Sequence, residues 1–225
     1  MIKRAKTLAV TLLGMVILTS CLTANKVDRQ VAKKYADKQQ GQKKKQNDLI
    51  SITSTLISND DRISTSETKT SNMLPLLFYW SWDYKNTCTL NPQIPINNFT
   101  ATVLNYASRR LNDKLKGQKL ELIINKIPNK FAIDDKAHII FFGYAVAWDN
   151  VFIKGESMDI VVSYRLLKDN AEVKNGVISI PNFDDKRRLG MFTSWKKATT
   201  DYLDQYDRNI ATLSKLVVDE LVSEL

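Results

Sequence analysis

The chain has 225 residues, enough for one ordinary domain with a tail, and its 44% apolar residues can form a core. Its 33 Lys and Arg against 24 Asp and Glu give a net charge of +9, and residues 22–50 alone carry +5 of it. Nucleic-acid-binding domains carry their basic excess on the folded domain, so no nucleic-acid partner is expected. A single histidine, His138, and two cysteines are too few for a His/Cys metal centre, and no cofactor is expected.

The first twenty residues have the organisation of a secretion signal. A basic start with Lys3, Arg4 and Lys6 precedes residues 7–18, which are small or apolar and carry no charge. A membrane-spanning helix needs about 20 apolar residues, so this run is too short to cross a bilayer comfortably. It ends in Leu18-Thr19-Ser20-Cys21, which resembles the lipobox of bacterial lipoproteins.

The resemblance implies a signal peptide over residues 1–20, a diacylglycerol on the Cys21 sulfur and a further fatty acid, such as palmitate, on the new amino terminus. Two or three acyl chains hold a protein stably on a membrane. By the same resemblance, Leu22 in place of Asp after the cysteine indicates the outer membrane. The lack of an acidic cluster after Cys21 favours its periplasmic face. A lipid on Cys21 leaves Cys88 without a disulfide partner, so Cys88 is expected to be a buried thiol.

Residues 21–72 are predicted to form a lipid-anchored tether and linker. Val27, Val31 and Tyr35 recur at a spacing of four, which allows a short helix over 26–39, but the polar composition favours a flexible tether. Its lysines either rest on anionic headgroups or are simply solvated. Residues 48–58 are predicted to be a short docked element, and the Ser/Thr-rich residues 59–72 a loop.

A single globular domain is predicted over residues 73–225, and it opens with a strand rich in aromatic residues. Residues 78–84 hold five aromatic side chains, and aromatic residues favour strands. Alternation places Phe78, Trp80 and Trp82 on one face and Tyr79 on the other. One face is expected to be core, and the alternative is an exposed platform. Tyr79, Trp80 and Trp82 are therefore the candidate contacts for a ligand or partner.

The rest of the domain reads as alternating helices and strands. A helix is predicted from a cap at Asn97 or Asn98 to Gly117, followed by a strand over 119–127. An antiparallel meander is predicted over 137–180, with a tight turn at Asp169-Asn170 and a second turn or bulge at Asn175-Gly176. A long helix over 194–225 completes an α+β fold, in which two helices cover an antiparallel sheet of about four to five strands.

No catalytic residue is assigned from the sequence. The acidic pairs Asp134-Asp135 and Asp184-Asp185 are predicted to lie in loops, and a lone strand histidine such as His138 has no identifiable nucleophile. The sequence therefore predicts a lipid-anchored envelope lipoprotein that serves as a non-catalytic binding or assembly module for an envelope protein or a lipid. The alternatives are a hydrolase of envelope glycan or lipid that uses the Asp loops, and a structural lipoprotein.

Overall fold

The structure is a computed structural model, and it describes residues 22–36, 47–56, 63–75, 78–107, 110–141, 144–182, 187–189 and 194–225. The helices are α1 (Ala24–Ala36), α2 (Gln93–Tyr106), α3 (Arg110–Leu115) and α4 (Trp195–Glu224). The strands are β1 (Ile50–Ser54), β2 (Ser64–Leu74), β3 (Tyr79–Thr89), β4 (Lys119–Lys126), β5 (Lys130–Phe141), β6 (Ala145–Gly155), β7 (Ile160–Lys168), β8 (Ala171–Ile180) and β9 (Arg187–Arg188). Cys21 and the Asp184-Asp185 pair lie outside the described residues.

The strands form two sheets, and the predicted α+β class is confirmed. A four-stranded sheet has the order β1-β4-β7-β8, in which β1 runs parallel to β4 and the other pairs are antiparallel. A five-stranded antiparallel sheet has the order β2-β3-β5-β6-β9. The β5–β6 and β7–β8 hairpins therefore belong to different sheets, which divides the predicted meander between them.

The core lies between the helices and the inner faces of the sheets. Strand β4 buries alternate residues, Leu120, Leu122 and Ile124, as a strand with one covered face should. Helix α4 contributes a stripe at the predicted helical spacing, with Leu203, Tyr206, Ile210, Leu213, Val217 and Leu221 all buried. Ser194 caps this helix by accepting a hydrogen bond from the Lys197 backbone N–H at 3.3 Å.

The predicted helix after the aromatic strand begins earlier than its proposed cap. Helix α2 starts at Gln93, whose N–H donates to the Asn91 side chain at 2.9 Å, so Asn97 and Asn98 lie inside the helix. The Asn98 amide instead donates to the backbone carbonyl of Asp207 in α4. The helical region ends as predicted at Gly117, whose φ of +85° lies in the left-handed region that glycine adopts without strain.

The β7–β8 hairpin confirms one turn prediction and corrects the other. Asp169 and Asn170 both have positive φ values, 51° and 64°, as a two-residue hairpin turn of type I′ requires. Gly176, by contrast, lies within β8 directly opposite Tyr164. An added Cβ there would lie 2.6 Å from the Tyr164 ring, so glycine makes room for a buried tyrosine.

Residues 24–36, assigned from the sequence to a tether, form a helix that packs on the body. Val27, Val31 and Tyr35 are its buried residues, at the spacing that the sequence revealed. The Tyr35 hydroxyl donates to Asp207 at 3.1 Å, and Lys34 forms an ion pair with Asp204, both residues of α4. Over this segment the structure replaces the expected tether with a docked helix.

Residues 64–72 also differ from their prediction, since this part of the expected loop belongs to strand β2. Every residue from Ser64 to Leu74 has a partner in β3. The neighbouring prediction of a short docked element is confirmed by β1, which pairs with β4. Among the described residues, no helix is both long enough and apolar enough to cross a membrane.

Candidate interaction surface at the end of the five-stranded sheet

The two ends of the five-stranded sheet have opposite environments. At one end, Cys88, Phe131, Ile133 and Ile153 are buried in the core. At the other end, large apolar side chains are exposed to solvent. We call this region, residues 71–75, 78–82, 137–141 and 144–148, the aromatic end. Its exposed large side chains are Met73, Leu74, Phe78, Trp80, Phe141, Tyr144, Val146 and Trp148.

One face of the aromatic end carries a pair of stacked indoles. Trp80 and Trp82 lie two residues apart on β3, so both side chains project from the same face. Their ring centroids are 5.2 Å apart, and the rings are nearly parallel. The Trp80 indole N–H donates to the Ser71 hydroxyl on β2 at 3.1 Å. Each tryptophan thus presents an apolar ring, while one indole N–H is satisfied within the sheet.

The opposite face carries a row of three stacked rings across three strands. His138 of β5 lies between Tyr79 of β3 and Trp148 of β6, with centroid separations of 6.0 Å and 5.2 Å. A hydrogen bond of 2.7 Å joins the Tyr79 hydroxyl to His138 Nδ1. The histidine therefore has aromatic neighbours on both sides, and its Nδ1 is engaged by a phenol.

The outermost part of the sheet is the most exposed. Phe78 and Tyr144 are 65% and 71% exposed, so most of each side chain is in contact with solvent. Phe78 packs edge-on against Phe141 with 6.5 Å between ring centroids, and the Phe141 N–H donates to the Phe78 carbonyl at 3.1 Å. These contacts fix the backbone of the aromatic end while leaving the rings accessible.

The predicted contacts Tyr79, Trp80 and Trp82 all fall in this region, but they do not share one face. Trp80 and Trp82 lie together, and Tyr79 lies on the other side with His138. The sequence left two possibilities for the aromatic strand, a core face or an exposed platform, and at this end the strand is an exposed platform. Further along β3, at Cys88, the same face is buried in the core.

The sequence analysis missed the contribution of the β5–β6 hairpin to this surface. Residues 137–148 supply Phe141, Tyr144 and Trp148, and the sequence placed them in the predicted meander without indicating that they are exposed. An available signal was the lack of any charged residue in both this run and residues 70–82.

No protein-family model matches this chain. No curated protein and no solved structure gives a significant match either. The function therefore has to be argued from the residues of the chain itself.

A cluster of buried polar atoms lies between the aromatic end and the core. Glu67 of β2 is paired with Asn86 of β3, and Asp135 of β5 is paired with Tyr84 on the same face. Both amide atoms of Asn86 and Oδ1 of Asp135 lack a hydrogen bond. Glu67 Oε1 also lacks one, although Lys69 Nζ is 3.2 Å away as an ion-pair partner. Among the described residues, no group of three or more His, Cys, Asp or Glu is placed to hold a metal.

The acidic pair Asp134-Asp135 does not lie in a loop, as the sequence analysis expected. Both residues belong to β5, so their side chains project from opposite faces of the sheet. They cannot act together across a cleft, and the other pair, Asp184-Asp185, lies outside the described residues. Cys88 is a buried thiol as expected, and burial together with Asp28 raises its pKa to about 12.

We expect Asp135→Asn to stabilise the protein at neutral pH. Burial, and secondarily the charge of Asp149, raises the pKa of Asp135. A raised pKa in the folded state means that stability is highest when the carboxyl is protonated and falls as pH rises through that pKa. Removing the charge should therefore raise the free energy of unfolding by about 0.5–1 kcal/mol at pH 7, since the site is only partly buried and solvent screens the penalty.

Urea unfolding at pH 4 and pH 7 checks this prediction, because the gain should shrink at the lower pH. Asp149→Asn is the matched control, since it removes the repulsion on Asp135 but leaves its buried carboxylate, and it should give a smaller gain. A loss of stability in Asp135→Asn at pH 7 would contradict the assignment.

Proposed function

We propose that the chain is a lipid-anchored lipoprotein of the bacterial cell envelope that acts as a non-catalytic binding or assembly module. The observation that carries this proposal is the aromatic end, where Phe78, Trp80, Tyr144 and Trp148 are exposed together. Contiguous exposed apolar patches mark interaction sites in soluble proteins. Because each Å² of apolar surface removed from water contributes about 25 cal/mol, a protein partner or a lipid that covers this region gains binding energy.

The sequence Leu18-Thr19-Ser20-Cys21 supports the anchored part of the proposal. The residue that follows, Leu22, is buried, and α1 begins two residues later at Ala24. An acylated Cys21 would therefore hold the folded body close to the membrane. We propose the outer membrane and its periplasmic face, on the basis of the residues that follow Cys21.

The two alternative functions have less support from the described residues. A hydrolase that used Asp134 and Asp135 as a catalytic pair is not supported, because their side chains project from opposite faces of β5. A purely structural lipoprotein would have no reason to keep its aromatic strand exposed, and Trp80 is exposed. A binding surface accounts for this exposure directly.

The anchor is tested by Cys21→Ser in a diderm bacterium that expresses the full chain with labelled palmitate. We expect the unchanged protein to appear in the membrane fraction as a labelled, cleaved form, because acylation and cleavage both require the thiol at this position. The Cys21→Ser protein should stay as an unlabelled precursor. Cys88→Ala is the matched control and should keep the label, since that thiol is buried. Normal processing and labelling of Cys21→Ser would refute the anchor.

A further inference from the structure

The aromatic end differs from other exposed apolar surface on this chain by its complete lack of charge near the turns. Residues 70–82 and 137–148 contain no Asp, Glu, Lys or Arg. Charge begins again at the Asp83–Lys136 ion pair, which joins β3 and β5 at 3.6 Å. The end of the sheet thus has a sharp border between a charged and a charge-free part.

Large apolar side chains lie on both faces of the charge-free part, next to a few uncharged polar groups such as Ser81 and His138. Trp80 and Ile139 are directly paired on one face, and Tyr79 and Ile140 are directly paired on the other. A protein partner that covers one face of a sheet leaves the other face in water. A lipid layer surrounds a projecting sheet from both sides, so it is the medium that matches this distribution. Tryptophan and tyrosine are also the residues that concentrate where membranes meet water.

The dimensions of the charge-free part fit one leaflet. From Asp83 to Phe78 the strand covers roughly 15 Å at about 3.3 Å per residue. The hydrocarbon core of a bilayer is about 30 Å thick, so this part can pass the headgroups and reach the acyl chains without crossing. Among the described residues, β2 pairs only with β3, and its outer backbone groups need water or headgroups as partners. This need keeps the insertion shallow, with the outermost residues at the boundary between the headgroups and the acyl chains.

The helix that follows the proposed lipid site in the sequence, α1, has its N-terminus toward the same end of the molecule. Helices α1 and α4 run parallel, since their polar contacts advance together along both chains. These contacts are Gln30 with Thr200, Lys34 with Asp204 and Tyr35 with Asp207. The N-terminus of α1, next to Cys21, is therefore on the same side as the N-terminus of α4.

The direction of α4 relative to the five-stranded sheet follows from two contacts. The Tyr206 hydroxyl donates to the carbonyl of Pro128, just before β5, and the Tyr202 ring packs against Phe131 with 5.2 Å between centroids. Moving along β5 toward the aromatic end thus corresponds to moving toward the N-terminus of α4. The N-termini of both helices therefore point to the aromatic end, and Leu22, which follows Cys21 in the sequence, lies next to the start of α1.

We propose that the aromatic end inserts into the same membrane leaflet that holds the lipid on Cys21, so that the body is attached at two points. This inference rests on the proposed anchor and adds a lipid surface as the ligand of the aromatic end. Attachment at two points would fix the orientation of the body on the membrane, which a lipid anchor alone does not do.

Tryptophan fluorescence tests the inference, because Trp80, Trp82 and Trp148 all belong to the aromatic end and Trp195 is the only other tryptophan. Trp195→Phe leaves the reporters in the aromatic end alone. The full-length protein is purified in its lipidated form, checked by mass and reconstituted into phosphatidylcholine vesicles with or without bromine on the acyl chains. We expect a loss of fluorescence in the brominated vesicles.

Matched variants separate the aromatic end from other exposed apolar residues. Phe78→Ser with Tyr144→Ser should remove the quenching, whereas Val173→Ser with Val177→Ser, two exposed positions of β8, should leave it unchanged. Protein that floats with the vesicles and is not quenched overturns the inference and leaves the anchor standing. The inference is also overturned if bromine does not quench the tryptophans but their shielding from iodide increases with protein concentration. That result would assign the surface to contact with a second copy of the chain. Protein that the mass check shows to carry no lipid refutes the anchor, and with it the attachment at two points.

Discussion

Leu213→Ala should lower the free energy of unfolding by about 2–5 kcal/mol. Leu213 lies on the buried stripe of α4 and is only 4% exposed, so its truncation removes apolar contacts and leaves a cavity. Helix α4 joins the two sheets through one continuous hydrophobic cluster, and the cavity would lie within it. Equilibrium unfolding in urea measures this loss.

Leu216→Ala is the control for this effect, since it makes the same chemical change three residues later on the same helix. Leu216 is 46% exposed, and surface substitutions usually change stability by less than about 0.5 kcal/mol. Both variants have the same change in helix propensity, so the difference between them reports burial alone. Equal losses in the two variants would mean that the stripe does not face the core.

Helix α4 was predictable because its buried residues follow a local pattern in the sequence. An apolar residue recurs every three or four positions from Leu203 to Leu221, and this period belongs to a helix with one covered face. The same reasoning found the strand β4 through the alternation of Leu120, Leu122 and Ile124. In both elements, the residues that decide the structure are neighbours in the sequence.

Strand β2 was not predictable in this way, because it has no apolar alternation over most of its length. Its residues from Ser64 to Asn72 are mainly Ser, Thr and charged residues, a composition typical of loops. It is a strand because its backbone pairs with β3 along its full length. Backbone pairing with a partner strand has no side-chain period of its own, so a Ser/Thr-rich segment gives no sign of it.

The aromatic end was half predictable for a similar reason. The sequence identified Trp80 and Trp82 as neighbours on one face, and left open whether that face is core or exposed. Whether that face is buried depends on which part of the strand the rest of the fold covers, and this is a property of the whole fold. Cys88, on the same face of the same strand, is buried, whereas Trp80 is exposed.

At α1 the apolar spacing was visible in the sequence, but the polar composition favoured a tether over a helix. Isolated helices of this length are marginal in water, and their stability comes from packing an apolar stripe on a partner. That partner is α4, which lies far away in the sequence. The stripe alone therefore did not decide between a free segment and a docked one.

Val31→Asp should release α1 from the body and cost about 3–5 kcal/mol, the range for a buried charge without a partner. Val31 is 0% exposed, so the new carboxylate would be buried where an apolar side chain packs now. Ala32→Asp is the control, because the same charge enters at the next residue, which is exposed. It should cost only the few tenths of a kcal/mol of a lower helix propensity.

Urea unfolding and limited digestion with trypsin together check the release of α1. The helix offers cleavage sites at Arg29, Lys33 and Lys34, and a docked helix resists a protease that needs an extended chain. We expect rapid cleavage at these sites in Val31→Asp and slow cleavage in Ala32→Asp. Equally rapid cleavage of the unchanged protein would mean that residues 24–36 are a flexible tether, as the sequence predicted. If α1 is docked as the contacts indicate, Leu22 is held against the body, and a lipid on the preceding cysteine would keep the aromatic end near the membrane that carries it. A released α1 would remove that constraint. Quenching by brominated lipid should therefore weaken in Val31→Asp while the anchor is kept.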